Sequence, residues 1–193
     1  MHNATSISLL HRVRNQSDAA AWDEFAELYY ALIHRWLRSQ GVQSQDADDV
    51  VQEVMTYVCG NIANFEHNGR PGAFRHWLRR VMVNRLHEFW KARRQKGGGS
   101  PNLSELADQL ADGRSGVSRV WRQEHNRCVL EHLMTAVRGR FQEQSLQAFR
   151  GLALEQRPAE DVAEELGMSV GAVRVAQCRV LQALREIGDG WAD

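Results

Sequence analysis

The chain has 193 residues, of which 43% are hydrophobic and 25% are charged, and its formal net charge is zero. This length accommodates one large domain or two small ones, and the composition excludes a disordered or fibrous chain. No apolar run approaches about 18 residues, which excludes a membrane-spanning helix, and the N-terminal sequence lacks the apolar core of a secretion signal. We therefore expect a cytoplasmic protein, whose widely spaced Cys59, Cys128 and Cys178 are reduced thiols. Of these, Cys59 and Cys128 are expected to be packing residues.

Helical periodicity dominates the first half of the chain. Apolar residues recur every three or four positions over residues 18–40, with Asp18 as the expected N-cap and Gly41 as the expected stop. A second helix is predicted from about residue 45, and a third over residues 73–94. Few β-branched runs and only three prolines interrupt this pattern, which favours an all-helical protein.

Charge is unevenly distributed over these helices. Residues 46–53 contain four acidic side chains and no basic one, whereas residues 75–96 contain eight basic side chains and one acidic one. The acidic residues either stabilise a helix N-terminus through its dipole or dock on a basic partner protein. The basic residues either neutralise nucleic-acid phosphates or form a solvated charged face. Asn84 among them either bonds a base edge or is a surface residue with no such role.

A segment of different composition follows the basic helix. GGGSPN and ADGRSG flank the short polar sequence LSELADQL, and this pattern predicts a flexible linker over residues 97–118. The linker would separate a first helical domain, residues 1–96, from a second, residues 119–193. We therefore predict an all-α protein with two small helical domains joined by a flexible linker.

The second domain ends in the pattern of a helix-turn-helix over residues 158–187. Pro158 suits the first helical position, Gly167 suits the left-handed end of that helix, and Ser169 suits the N-cap of the next. A helix-turn-helix inserts its second helix into the major groove of DNA. The alternative is an ordinary helical hairpin.

Three motifs in this order resemble the extracytoplasmic-function sigma factors, a two-domain group of the bacterial sigma-70 family. DADDVVQEV, residues 46–54, is similar to the region 2 helix that docks on the β′ coiled coil of RNA polymerase. FRHWLRRVMVNRLHEF, residues 74–89, is similar to the helix that recognises and melts the minus-ten promoter element. PAEDVAEELGMSVGAVRVAQCRVLQALRE, residues 158–186, is similar to the region 4 helix-turn-helix that recognises the minus-thirty-five element.

The resemblance runs from about residue 5 to residue 187 and implies site residues in each motif. The residues that would contact core polymerase are Asp46, Asp48, Asp49, Gln52 and Glu53. Those that would contact the minus-ten element, beside a base-capturing loop at residues 65–74, are Arg75, Arg79, Arg80, Asn84 and Arg85. Those that would contact the minus-thirty-five element are Ser169, Arg174, Gln177, Cys178 and Arg179.

The partners implied by the resemblance are promoter DNA and core RNA polymerase, at its β′ coiled coil and β flap, and an anti-sigma factor is allowed as a third. The protein would be an initiation factor rather than an enzyme, with no cofactor, no metal and no catalytic residue. His125 and Cys128 form a lone HxxC, which supplies too few ligands for zinc.

Two alternatives remain beside the sigma factor. The first is a dimeric regulator that binds a symmetric operator without polymerase. The second is a sigma-like adaptor that occupies polymerase without recognising a promoter. Five acidic and three basic side chains over residues 158–187 predict that this helix pair binds duplex DNA weakly by itself.

Overall fold

The computed structural model of the protein describes residues 9–15, 17–66, 72–95 and 101–188, with the backbone alone at residues 101 and 102. Across these residues the secondary structure is helical and contains no strand, which confirms the all-α prediction. The helices, in chain order, are α1 (Leu9–Arg12), α2 (Ala19–Ser39), α3 (Ser44–Asn61), α4 (Ala73–Gln95), α5 (Pro101–Ala111), α6 (Gly116–Val137), α7 (Glu143–Phe149), α8 (Ala159–Leu166) and α9 (Val170–Ile187).

The described chain divides into two compact units, residues 9–129 and residues 130–188, and the division falls within α6. Short 3₁₀ segments at Ile62–Asn64 and Arg138–Arg140 and a π-helical segment at Arg150–Leu154 extend neighbouring helices. No helix in the described ranges combines the length and the apolar character that a membrane span requires.

The core of the first unit is rich in aromatic side chains from α2 and α4. Phe25 and Tyr29 of α2 lie with ring centroids 4.5 Å apart, and Phe74 of α4 packs edge-on against both, at 6.0 and 5.4 Å. Trp36 and Trp121 make a further edge-to-face pair at 5.4 Å, and both are fully buried. Such pairs add about 0.5–1.5 kcal/mol each beyond the area that they bury, so this cluster fixes how α4 lies on α2.

Local sequence determines where α2 begins and ends, as predicted. The Asp18 carboxylate accepts a hydrogen bond of 2.9 Å from the Ala21 amide and so caps the helix. Gly41 follows the last turn with a φ of +82°, a conformation that is costly for other residues. The helix therefore presents one continuous apolar face to α3 and α4.

The segment expected to be a flexible linker contains a packed helix instead. Four apolar side chains of α5 are buried, namely Leu103, Leu106, Ala107 and Leu110. The Ser118 hydroxyl donates a 2.7 Å hydrogen bond to the Leu110 carbonyl, which ties the end of α5 to the start of α6. The structure therefore corrects the linker prediction over residues 101–118, because the apolar spacing in LSELADQL outweighs its glycine-rich flanks. The first compact unit extends to residue 129, beyond the boundary expected at 118.

The core of the second unit is small and lies between α7, α8 and α9. Ala148, Val162, Ala163, Val173 and Ala176 form its buried cluster. The helices α8 and α9 are joined by three residues, in which Gly167 has a φ of +62° and the Ser169 hydroxyl accepts a hydrogen bond from the Ala172 amide at 3.2 Å. Both roles agree with the sequence prediction, whereas Pro158 lies one residue before the first helical position and is the N-cap.

Candidate nucleic-acid interface

The acidic residues of α3 separate into buried and exposed members. Asp49, Gln52 and Glu53 are exposed on neighbouring turns, since positions three and four apart share a helix face. Asp48 is half-buried beside them. The structure therefore brings four of the five residues predicted to bind polymerase to one surface, which we call the α3 acidic face (Asp48, Asp49, Gln52 and Glu53).

Asp46 has a different environment from its neighbours. Its residue is 4% exposed, and its carboxylate forms an ion pair with the Arg93 guanidinium of α4. This ion pair joins the start of α3 to the end of α4. Asp46 is the least accessible of the five residues predicted to contact polymerase, and its direct contact stays a prediction.

Asp48 is held in place by two side chains of α2. The Tyr30 hydroxyl donates to its carboxylate at 2.9 Å, and the His34 Nε2 atom lies 3.3 Å from the same oxygen. The Tyr30 and His34 rings stack with centroids 6.2 Å apart. The hydrogen bond to Asp48 raises the pKa of Tyr30, because loss of the phenolic proton would place two anions side by side. Asp48 thus has a defined orientation at the edge of the α3 acidic face.

One face of α4 is open and polar. Arg80, Asn84 and Lys91 are exposed, and their spacings of four and eleven residues keep them in line along a helix of 3.6 residues per turn. We call these three residues the α4 stripe. Two cations flanking an amide that both donates and accepts hydrogen bonds can hold phosphates and contact a base edge.

The predicted DNA-contacting residues Arg75 and Arg79 of α4 lie against other parts of the fold. Arg75 is 8% exposed and donates a 2.7 Å hydrogen bond to Asn126 of α6. Arg79 is half-buried against the α5–α6 turn, where a Cβ added to Gly113 would lie 3.3 Å from its guanidinium. The Arg75 guanidinium is therefore engaged inside the fold, and its contact with phosphates stays a prediction.

Arg85 has two contacts within its own unit. It pairs with Glu88 at 2.7 Å, and its guanidinium lies 4.9 Å from the centroid of the Tyr57 ring. Its side chain is only 20% exposed. The Arg94 guanidinium lies in a similar way over Trp90, 5.3 Å from the centroid of its ring.

His125 is buried close to Arg75. Burial and, to a smaller extent, the nearby positive charge of Arg75 lower its pKa from 6.5 to about 4, against a hydrogen bond with Asn126 that raises it. Its Nε2 atom lies 3.4 Å from the Tyr29 hydroxyl. No three potential metal-binding side chains cluster within the described ranges.

The exposed face of α9 contains most of the residues predicted to contact the second DNA element. Arg174, Cys178 and Arg179 are exposed, and Ser169 is exposed at the N-cap, whereas Gln177 is half-buried. The Arg174 guanidinium lies 4.0 Å from the Glu160 carboxylate of α8, with both side chains more than 60% exposed. A surface pair of this kind contributes little, so Arg174 can exchange its partner at small cost.

Sequence reasoning missed one exposed residue of α9 and misplaced one cysteine. Val175 is 57% exposed. Helical periodicity places it on the opposite side of α9 from the buried Val173 and Val180, so its exposure could have been predicted from the sequence. Cys59, expected to be a packing residue, is exposed, whereas Cys128 is buried as expected. Residues 67–71 of the predicted base-capturing loop lie outside the described residues.

Comparison with known proteins identifies the first unit. Residues 25–96, which include most of α2 and all of α3 and α4, match the family Sigma-70 region 2. The α3 acidic face and the α4 stripe therefore lie within the matched segment.

Similarity to known sigma factors extends beyond this segment and covers 73% of the chain. The chain is 31% identical over 142 residues to the RNA polymerase sigma-E factor of Streptomyces antibioticus, covering 73% of this chain and 69% of that protein. It is 30% identical over 142 residues to the sigma-E factors of Streptomyces coelicolor and Streptomyces avermitilis, covering 71% and 70% of those proteins. The chain therefore belongs to the sigma-70 family of RNA polymerase sigma factors, in its extracytoplasmic-function group, and acts in transcription initiation.

Proposed function

We propose that this sigma factor binds core RNA polymerase through the α3 acidic face and contacts the minus-ten promoter element through the α4 stripe. The observation that carries this proposal is the separation of charge within the region 2 match. The acidic face lies on α3, and the exposed cations and Asn84 lie on α4. Opposite charges on two helices suit two partners of opposite charge.

The polymerase-binding part of the proposal rests on four residues. Asp48, Asp49, Gln52 and Glu53 offer three carboxylates and one amide to a basic partner surface, for which the β′ coiled coil is our candidate. Exposed charges mainly steer the encounter and determine specificity, so their loss would slow association more than it would weaken the fold. Asp46 supports this surface from inside, through its ion pair with Arg93.

Promoter opening is assigned to α4 and the loop before it. Arg80 and Lys91 would hold the backbone of the separated strand, and the Asn84 amide would contact a base. Flipping a base costs a few kcal/mol of unstacking, which a pocket must return, and the segment at residues 65–74 is our candidate for that pocket. Arg79 and Arg85 lie close enough to the surface to assist after exchanging their internal contacts.

The second unit would recognise the minus-thirty-five element through α9. Arg174 and Arg179 supply cations, while Ser169 and Cys178 lie on the same exposed side. The acidic side chains of α8 oppose independent DNA binding, so α9 would act while polymerase, through its β flap, holds it at high effective concentration. In this proposal the protein supplies no catalytic group, and its partners place it in the cytoplasm, where an anti-sigma factor would have access to it.

Reconstituted transcription tests the proposal directly. Bacterial core polymerase would transcribe a library of genomic fragments with no added factor, with the wild type, and with Asn84→Ala. The matched control is Gln109→Ala, an exposed change on α5 outside the α4 stripe. We expect new start sites with two shared upstream motifs for the wild type and the control, and a loss of at least tenfold in open complexes for Asn84→Ala.

The other outcomes distinguish the alternatives. Unchanged transcripts, with polymerase binding verified in the same reaction, would favour an adaptor that does not recognise promoters. Absence of polymerase binding would favour a separate operator-binding regulator. Equal activity of Asn84→Ala and the control would remove the α4 stripe from promoter opening.

A further inference from the structure

Val175 of α9 is an apolar residue with a large exposed surface. Its residue is 57% exposed, more than Tyr30, Tyr57 or Leu154, the other large hydrophobic residues on the described surface. A single exposed valine is unremarkable on a protein surface. Its place on this helix is what distinguishes it.

The geometry of α9 places Val175 near the centre of the open face. The buried face is formed by Val173, Ala176 and Val180, which are spaced by three and four residues. Val175 lies on the other side, one turn before Arg179 and one turn after Gly171, and both neighbours are exposed. A Cβ added at Gly171 would meet nothing closer than the Ser169 hydroxyl at 4.0 Å, so this part of the helix surface is low and unobstructed.

The residues near Val175 include two cations that can bind phosphates. Arg174 and Arg179 stand on either side in sequence, and the Arg174 side chain is 66% exposed. Cations that bind phosphates on both strands of a groove bring the residue between them to the base edges. Residues in the first half of a recognition helix make these base contacts, and Val175 is the sixth residue of α9.

An aliphatic side chain at a base edge has one good partner. The major groove offers hydrogen-bonding groups at every base pair, and a single apolar group, the C5 methyl of thymine. We infer that Val175 contacts a thymine methyl group in the upstream promoter element and makes the protein selective for thymine at that base pair. This inference rests on the proposed function of α9.

Removal of that methyl group tests the contact. The promoters found by reconstituted transcription would be synthesised with each upstream thymine in turn replaced by deoxyuridine, which lacks only the C5 methyl. Holoenzyme binding would be titrated for the wild type, for Val175→Ala, and for Gln182→Ala, an exposed control further along α9. We expect deoxyuridine at one position to weaken the wild type and Gln182→Ala about fourfold, the value for one buried methylene. The same replacement leaves Val175→Ala unchanged.

Two results would overturn the inference while the proposed function stands. One is specific transcription by the wild type with no upstream thymine sensitive to deoxyuridine. The other is a sensitive thymine whose effect persists in Val175→Ala. Absence of promoter-specific transcription by the wild type would overturn the proposed function and this inference together. Because Val175 is exposed, Val175→Ala is expected to fold, and its melting temperature verifies this.

Discussion

His125 makes the stability of the first unit depend on pH in a calculable way. The folded protein holds this imidazole neutral, since burial and the charge of Arg75 lower its pKa to about 4. In the unfolded chain its pKa is near 6.5. Between these values the unfolded state binds a proton that the folded state does not, so the free energy of unfolding falls as the pH decreases from about 6.5 to about 4.

The size of the effect follows from the two pKa values. Over the whole interval the loss is about 3 kcal/mol, and between pH 7 and pH 5 it is about 2 kcal/mol. Other groups also titrate in acid, so the absolute change is less informative than a comparison. His125→Gln cannot gain a proton at this position, and we expect its loss between pH 7 and pH 5 to be about 2 kcal/mol smaller than that of the wild type.

Urea unfolding followed by tryptophan fluorescence measures this difference. Five of the six tryptophans precede residue 130, so the signal reports mainly on the first unit. Trp121 is itself in contact with His125, at 6.1 Å between ring centroids. His11→Gln, a change at an exposed histidine, is the control and should keep the wild-type pH dependence. Equal slopes for the wild type and His125→Gln would refute the reasoning.

Four further predictions separate residues that stabilise the fold from residues that face a partner. Leu110→Ala should lower the free energy of unfolding by about 2–5 kcal/mol in urea titrations, since this side chain of α5 is fully buried. An unchanged free energy of unfolding would instead support the prediction of a flexible linker. Asp46→Ala should destabilise the fold by about 1–3 kcal/mol by breaking a buried ion pair with a partly exposed partner. Asp49→Ala should change the free energy of unfolding by less than about 0.5 kcal/mol and weaken polymerase binding in a pull-down titration. A larger loss of stability for Asp49→Ala than for Asp46→Ala would contradict both assignments. Arg80→Ala should reduce the salt slope of promoter binding by about one, whereas Arg75→Ala should mainly lower the melting temperature.

Sequence alone predicted the features that depend on neighbouring residues. The Asp18 cap, the Gly167 end and the Ser169 cap each involve atoms within three or four residues, so the chemistry of those residues decides them. The helix over Pro101–Ala111 was also readable from its apolar spacing. We nevertheless predicted a linker, because glycines lie on both sides of this segment and its apolar pattern is short.

Partners distant in sequence explain why two of the predicted site residues are buried. Asp46 and Arg75 were grouped with their exposed neighbours because charge and motif position are all that the sequence shows. Their partners, Arg93 and Asn126, lie on helices whose packing is decided by the aromatic core. A motif therefore located the correct helices, but only the packing of those helices distinguishes a side chain that stabilises the fold from one that faces a partner.

The helix α4 shows what this distinction means for mutations. One side of it holds Phe74 and Leu78 in the core, a second side directs Arg75 towards Asn126, and a third leaves Arg80 open. Alanine substitutions along α4 would therefore reduce promoter binding for two different reasons. Substitutions on the second side would reduce promoter binding at every salt concentration by unfolding the protein. Those on the third side would reduce it most at low salt, because the lost phosphate contacts contribute most there. Salt dependence therefore separates the two causes on a single helix.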